Sequence, residues 1–266
     1  MKTFLIDAGN SSLKWSILSD NGALTAQQKV FYTNEAPLHY FETLIKKQSS
    51  ECDALLMVSV LDNDFSKNAE SITTQASMSF HNISSQKQLS GITNAYLEPH
   101  KLGADRFVAM IAAYQLINAK YNTHDKEPCI VIDAGTATTI DAIDKNGQHL
   151  GGLILPGTKL CSASLLENTV LLPQWNDDDE VFSPTLFSTE TTQAIASASV
   201  LGLAGAVENI CSKMANELLG SSTQPIKRVI CGGDAKIILP FMESDYEYQM
   251  DLLMFGLKII AQDRHI

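Results

Sequence analysis

The chain has 266 residues, 45% of them apolar and 18% charged, and a formal net charge of −11 at pH 7. That much apolar material builds a real core and excludes wholesale disorder, and the length suits one large domain or two ordinary ones. The charge excludes a general nucleic-acid or anionic-membrane binder, because both need basic patches; an anionic substrate must meet cations placed locally.

In chain order, the first element is a short apolar strand, Phe4 to Asp7, that runs into Ala8-Gly9. Asp7 breaks it too early for a signal peptide. Hydroxyl-bearing residues follow (Asn10, Ser11, Ser12), then a second strand over Trp15–Ser19 and a turn at Asp20-Asn21-Gly22. Strand, Gly-containing turn and strand predict a β-hairpin. Ala54–Val60 is unbroken and apolar, which suits a buried strand. From Asp105 to about Lys120, Phe107, Met110, Ile111, Tyr114 and Ile117 recur at helical spacing, which predicts a helix with one buried face. Residues 121–128 are polar and turn-rich and mark a boundary, giving an N-terminal domain over 1–122 and a C-terminal domain over 123–266.

The opening pattern then returns. Ile130 to Asp133 runs into Ala134-Gly135, followed by Thr136, Thr138 and Thr139, a second strand over Ile140–Asp144 and a turn at Asn146-Gly147. Two such hairpins half a chain apart predict a duplicated domain. The acidic run Asn176–Glu180 reads as a solvated loop. Thr192–Leu219 reads as a helix rich in small residues that permit close packing against another helix or a second subunit. Lys227–Cys231 is a strand ending at Gly232-Gly233-Asp234, and Met250–Gln262 is a closing helix. Alternating strands and helices define an α/β class. No apolar run approaches the ~20 residues of a membrane span. Cys52, Cys129, Cys161, Cys211 and Cys231 are odd in number, show no metal-ligand spacing, and read as free thiols in a reducing compartment. A soluble cytoplasmic protein with no membrane and no nucleic-acid partner is the expectation.

Chemistry concentrates in four places. In Asp7-Ala-Gly-Asn-Ser-Ser-Leu-Lys14, Gly9 lets the backbone turn closely under a phosphate, the N–H groups and hydroxyls of Asn10, Ser11 and Ser12 can donate to phosphate oxygens, and Lys14 adds a point charge. Asp7 cannot face phosphate without a cation between them, which makes it a candidate for Mg²⁺ or its waters. The spacing is not that of the Walker loop. Asp133 to Thr139 is a second copy, so the two hairpins are expected to clamp a polyphosphate–cation complex. Gly232-Gly233 offers bare backbone to a nucleoside. In Tyr96 to Arg106, Gly103 precedes a helix whose first turn carries Asp105 and Arg106; the positive helix end favours an ionised carboxylate, and Arg106 suits an anionic substrate whose hydroxyl Asp105 would orient.

The order of these elements is that of the actin, sugar-kinase and Hsp70 superfamily. More closely, Asp7–Lys14, Leu102–Arg106, Asp133–Asp141 and Gly151–Gly157 resemble the type III pantothenate kinases. The resemblance implies duplicated ribonuclease-H-like (actin-like ATPase) domains with mixed central sheets and flanking helices. It implies transfer of the ATP γ-phosphoryl group to the primary hydroxyl of pantothenate, the first step of coenzyme A biosynthesis. It maps the ATP contacts onto Asp7, Ala8, Gly9, Asn10, Ser11, Ser12, Leu13, Lys14 and Thr136, and the catalytic base onto Asp105. The pantothenate contacts map onto Tyr96, Gly103, Ala104, Asp105, Arg106 and Thr191, with Thr192 as an alternative to the last. It further implies Mg²⁺ with ATP, a monovalent cation (K⁺ or NH₄⁺) at Asp133, and a homodimer with pantothenate near its interface. This chain departs from the family pattern at Ala198, where Gly is common, in having Ser11-Ser12 where Thr is frequent, and in its acidic stretch after Trp175. Two other readings remain open: another small-molecule kinase of the superfamily, and a non-catalytic regulatory accessory factor, which would have no need of Asp7, Asp105 and Asp133 together.

Overall fold

A computed structural model of the chain describes residues 2–120, 126–167, 183–219 and 226–266. The acidic run 176–180 and most of the linker predicted at 121–128 lie outside the described residues. In chain order the elements are β1 (Thr3–Ala8), β2 (Ser12–Leu18), β3 (Gln28–Phe31), α1 (Pro37–Gln48), β4 (Ala54–Ser59), α2 (Asn63–Gln75), β5 (Ser79–Ile83), β6 (Gln88–Leu89), β7 (Ile92–Thr93) and α3 (Ala104–Lys120). There follow β8 (Cys129–Ala134), β9 (Ala137–Ile143), β10 (His149–Pro156), α4 (Thr158–Glu167), α5 (Thr191–Leu219), β11 (Lys227–Cys231), α6 (Ala235–Ile238), β12 (Glu247–Tyr248) and α7 (Leu252–Arg264).

Two compact units form. The first takes in the described residues of Met1–His124, Asn146–Leu150 and Asp251–Ile266; the second takes in those of Asp125–Lys145 and Gly151–Met250. This division differs from a single cut after residue 122. The closing helix α7 packs on α3, β1 and β4 of the first unit. Its Gly256 allows the closest approach, since a Cβ there would stand 2.5 Å from the Val108 carbonyl oxygen.

In the first unit five strands run in the order β3-β2-β1-β4-β5. β1 pairs antiparallel with β2 and parallel with β4, and β4 pairs parallel with β5. β1 and β4 are buried almost throughout, as parallel strands covered on both faces must be, and this explains their unbroken apolar sequences. One face packs against Phe41 and Ile45 of α1 and Phe65 and Ala69 of α2. α3 and α7 contact β4 and, for α7, β1. Because α3 lies between strands and α7, every residue from Arg106 to Tyr114 is buried. The expectation of one buried face is therefore corrected to burial all round.

The second unit repeats the plan in the order β10-β9-β8-β11-β12, with β8–β9 antiparallel and β8–β11 parallel. The hairpins repeat with the second one residue tighter: Ala8 pairs with Leu13 in the first and Ala134 with Thr138 in the second. The turns beyond β2 and β9 each hold a glycine at positive φ, Gly22 at 80° and Gly147 at 79°. The duplicated ribonuclease-H-like architecture with mixed sheets is thus the one observed. α5 is long and apolar enough, by length and composition, to cross a membrane, which corrects the expectation that no segment reaches that length. Its Val200, Leu203, Ala204, Val207, Cys211 and Ala215 instead pack with Ile130, Ile132 and Ile230 of the sheet. All five cysteines are free; Cys161 alone is not fully buried.

Candidate functional site

In the first unit the β1–β2 turn is closed by the Gly9 N–H, which donates to the Ser12 carbonyl at 3.1 Å. A Cβ on Gly9 would meet only that oxygen, at 3.4 Å. The fold therefore leaves the outer side of the turn clear, as a phosphate loop requires. Asp7 and Lys14 face each other across the hairpin, and the Lys14 ammonium donates to Asp7 Oδ2 at 3.0 Å. Asp7 is only 4% exposed, and a buried carboxylate needs such a cation partner. Lys29 on β3 lies directly opposite Lys14. Burial and the Lys14 charge lower its proton affinity, opposed by Asp7, so a second cation stands beside the first. No local pattern in the sequence signals this, since the pairing of β3 with β2 is what brings Lys29 there.

Asp105 occupies the first turn of α3. Its Oδ1 accepts from the Arg106 N–H at 2.7 Å. Burial pushes its carboxyl above the ordinary carboxylate value; the Arg106 N–H pulls it back and the charge of Asp7 adds to the rise. Asp105 therefore feels the charge of Asp7, nearly a hundred residues earlier in sequence. Gly103 has a definite steric role: a Cβ there would stand 2.7 Å from Asp105 Oδ1. The Arg106 guanidinium is buried and donates to the Tyr96 hydroxyl at 3.1 Å. Tyr96 is in turn fixed through its N–H, which donates to Asn94 Oδ1 at 2.9 Å. On its other side it stacks on the fully buried His149, ring centroids 6.2 Å apart and planes 15° apart. Tyr96, Gly103, Asp105 and Arg106 thus lie together. His149 was not foreseen, because it lies far along the chain.

In the second unit Asp133 is the penultimate residue of β8, and Thr136 is exposed in the following turn. That turn is braced by the Gly157 N–H, which donates to the Thr136 carbonyl at 3.0 Å. Gly232 has φ of 96°, and a Cβ there would stand 2.3 Å from the Ala134 carbonyl oxygen. Its bareness therefore serves packing against the Asp133 turn. A Cβ on Gly233 would meet nothing within 4 Å, so its outer side is open. Thr191 is exposed and Thr192 half-buried in the first turn of α5. Among the described residues no three His, Cys, Asp or Glu side chains converge on a metal position. Single carboxylates such as Asp7 and Asp133 suit an ion carried largely by phosphates and water, which is how Mg²⁺ is usually bound.

Two units of one ribonuclease-H-like plan, each with an Asp-Ala-Gly hairpin, define a protein of the actin-like ATPase fold. The profile of the type III pantothenate kinases matches residues 3–213, and the chain belongs to that family. A type III pantothenate kinase of Janthinobacterium sp. (strain Marseille) is 30% identical over 262 residues, covering 97% of this chain and 96% of the relative. One of Dichelobacter nodosus is 32% identical over 255 residues, covering 95% of each. Among solved structures, a Campylobacter jejuni protein described as a Baf family transcriptional activator shares the fold with a TM-score of 0.58 at 20% identity, covering 98% of both chains. An ethanolamine utilization protein of Carboxydothermus hydrogenoformans does so with a TM-score of 0.52 at 12% identity, covering 98% of this chain and 89% of its own.

Proposed function

We propose that this protein phosphorylates the primary hydroxyl of pantothenate with ATP, the first step of coenzyme A biosynthesis. The observation that carries this reading is Asp105: a carboxyl raised by burial, given space by Gly103 and set beside the Arg106–Tyr96 pair. Phosphoryl transfer is mainly positioning and charge stabilisation. Asp105 orients the acceptor hydroxyl and takes its proton, which a raised carboxyl does better than an ordinary one. Arg106, with Tyr96, Gly103, Ala104 and Thr191, holds pantothenate, the guanidinium serving its carboxylate. The turn from Asp7 to Lys14 and the Thr136 hydroxyl hold the phosphates of ATP. Mg²⁺ bound with ATP, through Asp7 or its waters, supplies neutralisation of phosphate charge, and Asp133 suits K⁺ or NH₄⁺. Coupled ATP consumption with and without pantothenate, with phosphopantothenate identified as product, tests the assignment; ATP consumption indifferent to pantothenate rejects it. A cytoplasmic location fits the five free thiols.

A cation dependence follows from the two hairpin carboxylates. Activity is expected to require Mg²⁺ and to rise when Na⁺ is replaced by K⁺ or NH₄⁺ at constant ionic strength. Equal initial rates in Na⁺ and K⁺ buffers would remove the monovalent ion from Asp133.

The assembly we propose is a homodimer. The apolar side chains of α3 are covered within their own unit, so that helix does not supply the self-contact. α5 presents Ala194, Ala198, Gly202 and Gly205 along one exposed face, and a Cβ on either glycine would meet nothing within 4 Å. α4, packed on α5, adds the exposed Leu160 and Leu165. Two-fold dimers are the commonest soluble assembly. Because Ala198 is exposed, Ala198→Trp leaves the chain's own packing intact. It is expected to give a monomer by light scattering and to raise KM for pantothenate more than KM for ATP. A dimer that persists in this variant excludes the Ala198 face as the interface.

A further inference from the structure

Asp234 directly precedes the four-residue helix α6 and would ordinarily cap it, yet its side chain makes no such bond. Its Oδ2 instead accepts from both the backbone N–H and the hydroxyl of Thr158, each at 2.8 Å, across 76 positions of sequence. The carboxylate thus caps α4. The Asp234 N–H donates to the Ala134 carbonyl at 2.8 Å. Three distant stretches then meet through bare backbone: 133–136, 157–158 and 232–234. Neither Gly157 nor Gly232 has space for a side chain, since a Cβ on Gly157 would lie 2.2 Å from the Gly135 carbonyl oxygen and one on Gly232 only 2.3 Å from that of Ala134. Thr136, exposed, and Gly233, open on its outer side, are the parts of this junction that a ligand can reach.

We infer that Asp234 is a positioning residue for the nucleotide: through Thr158 it holds the Gly232–Gly233 turn and the Thr136 turn in the spacing that ATP requires. Bonds from N–H and O–H to a carboxylate are short and strong, and the positive end of α4 favours the charge that accepts them. Without them the buried Thr158 N–H and hydroxyl lose this acceptor, and the 232–234 turn loses its side-chain tie to the start of α4. The inference rests on the reading that Thr136 and Gly233 contact ATP. It goes beyond that reading by assigning the geometry to a carboxylate that need not touch the nucleotide.

The test is titration of the intact protein with ATP by calorimetry, alongside steady-state kinetics. Asp234→Ala is expected to weaken ATP binding about tenfold or more and to raise KM for ATP in step, with KM for pantothenate within about twofold, because misplaced positioning groups act on the substrate they orient. Asp234→Asn keeps an oxygen that accepts both Thr158 bonds and is expected to recover ATP affinity to within about threefold. An Asp234→Asn as weak as Asp234→Ala would show that the negative charge itself, facing a cation or the nucleotide, is what matters, and would overturn the inference. Unchanged ATP affinity in Asp234→Ala overturns it as well. Should Asp234→Ala fail to fold, Thr158→Val removes one of the two bonds and carries the same expectation in milder form, with normal ATP affinity counting against the inference. A wild-type chain that binds ATP but does not phosphorylate pantothenate rejects the functional assignment and leaves this test standing.

Discussion

Asp105→Asn should lower kcat by roughly 10²–10⁴, the usual loss when a positioned general base is removed, while ATP affinity stays near that of the wild type. The same substitution should not cost stability at neutral pH. In the folded chain burial makes Asp105 hold its proton more tightly than the unfolded chain does. The folded state therefore binds more protons in the interval above the ordinary value of 3.8, and stability falls as pH rises through that interval. Above that interval the full cost of the buried charge is present, and Asn, which can keep the Arg106 N–H bond, removes it. Thermal melting should show Asp105→Asn with Tm at or above wild type at pH 7 and no advantage below about pH 3.8, where both states are protonated. In the wild type, kcat/KM should fall as pH drops through the raised value, because the protonated carboxyl no longer accepts the hydroxyl proton. Near-normal turnover in Asp105→Asn would take Asp105 out of the mechanism.

Lys14→Ala should act on binding and stability together. If the ammonium also meets the ATP phosphates, as proposed, its loss is expected to cut kcat/KM for ATP by about 10² or more. It also leaves Asp7, 4% exposed, without the cation 3.0 Å away. A buried acceptor stripped of a charged partner costs about 2–3 kcal/mol, moderated here because Lys14 itself is partly exposed and Lys29 stands opposite. The double variant Asp7→Asn, Lys14→Ala removes the stranded charge and should regain much of the stability in urea unfolding without regaining activity. If the single variant keeps wild-type KM for ATP, Lys14 is a structural partner of Asp7 and the phosphate role falls.

The features legible in the sequence were those whose cause is local. The Asp-Ala-Gly hairpins are visible because a strand end, a glycine and a hydroxyl-rich turn are contiguous, and they sit where the strand pattern places them. β11 and α5 likewise declare themselves by apolar runs bounded by turn residues. α3 was harder: its apolar period points to one buried face, whereas burial extends all round because α7, more than a hundred residues later, closes over it. Asp234 shows the same limit in the site. Beside two glycines it reads as a turn residue, and its tie to Thr158 emerges only once β8 and β11 are paired. Gly103 could be seen before a helix, but that it makes room for the Asp105 carboxylate is a matter of atoms.

The placement of α7 has a consequence for how this chain reaches its native state during synthesis. β1, β4 and α3 are translated more than a hundred residues before α7, the helix that packs on all three. Until it arrives, Val108 and its neighbours on α3, together with part of β1, present apolar surface to solvent. Domains generally complete in the order they are translated, but here the later-translated unit can close on itself while the earlier one still waits for residues 252–264. A ribosome-bound chain arrested before α7 should therefore be protected from protease in its second unit ahead of its first, the reverse of the vectorial order.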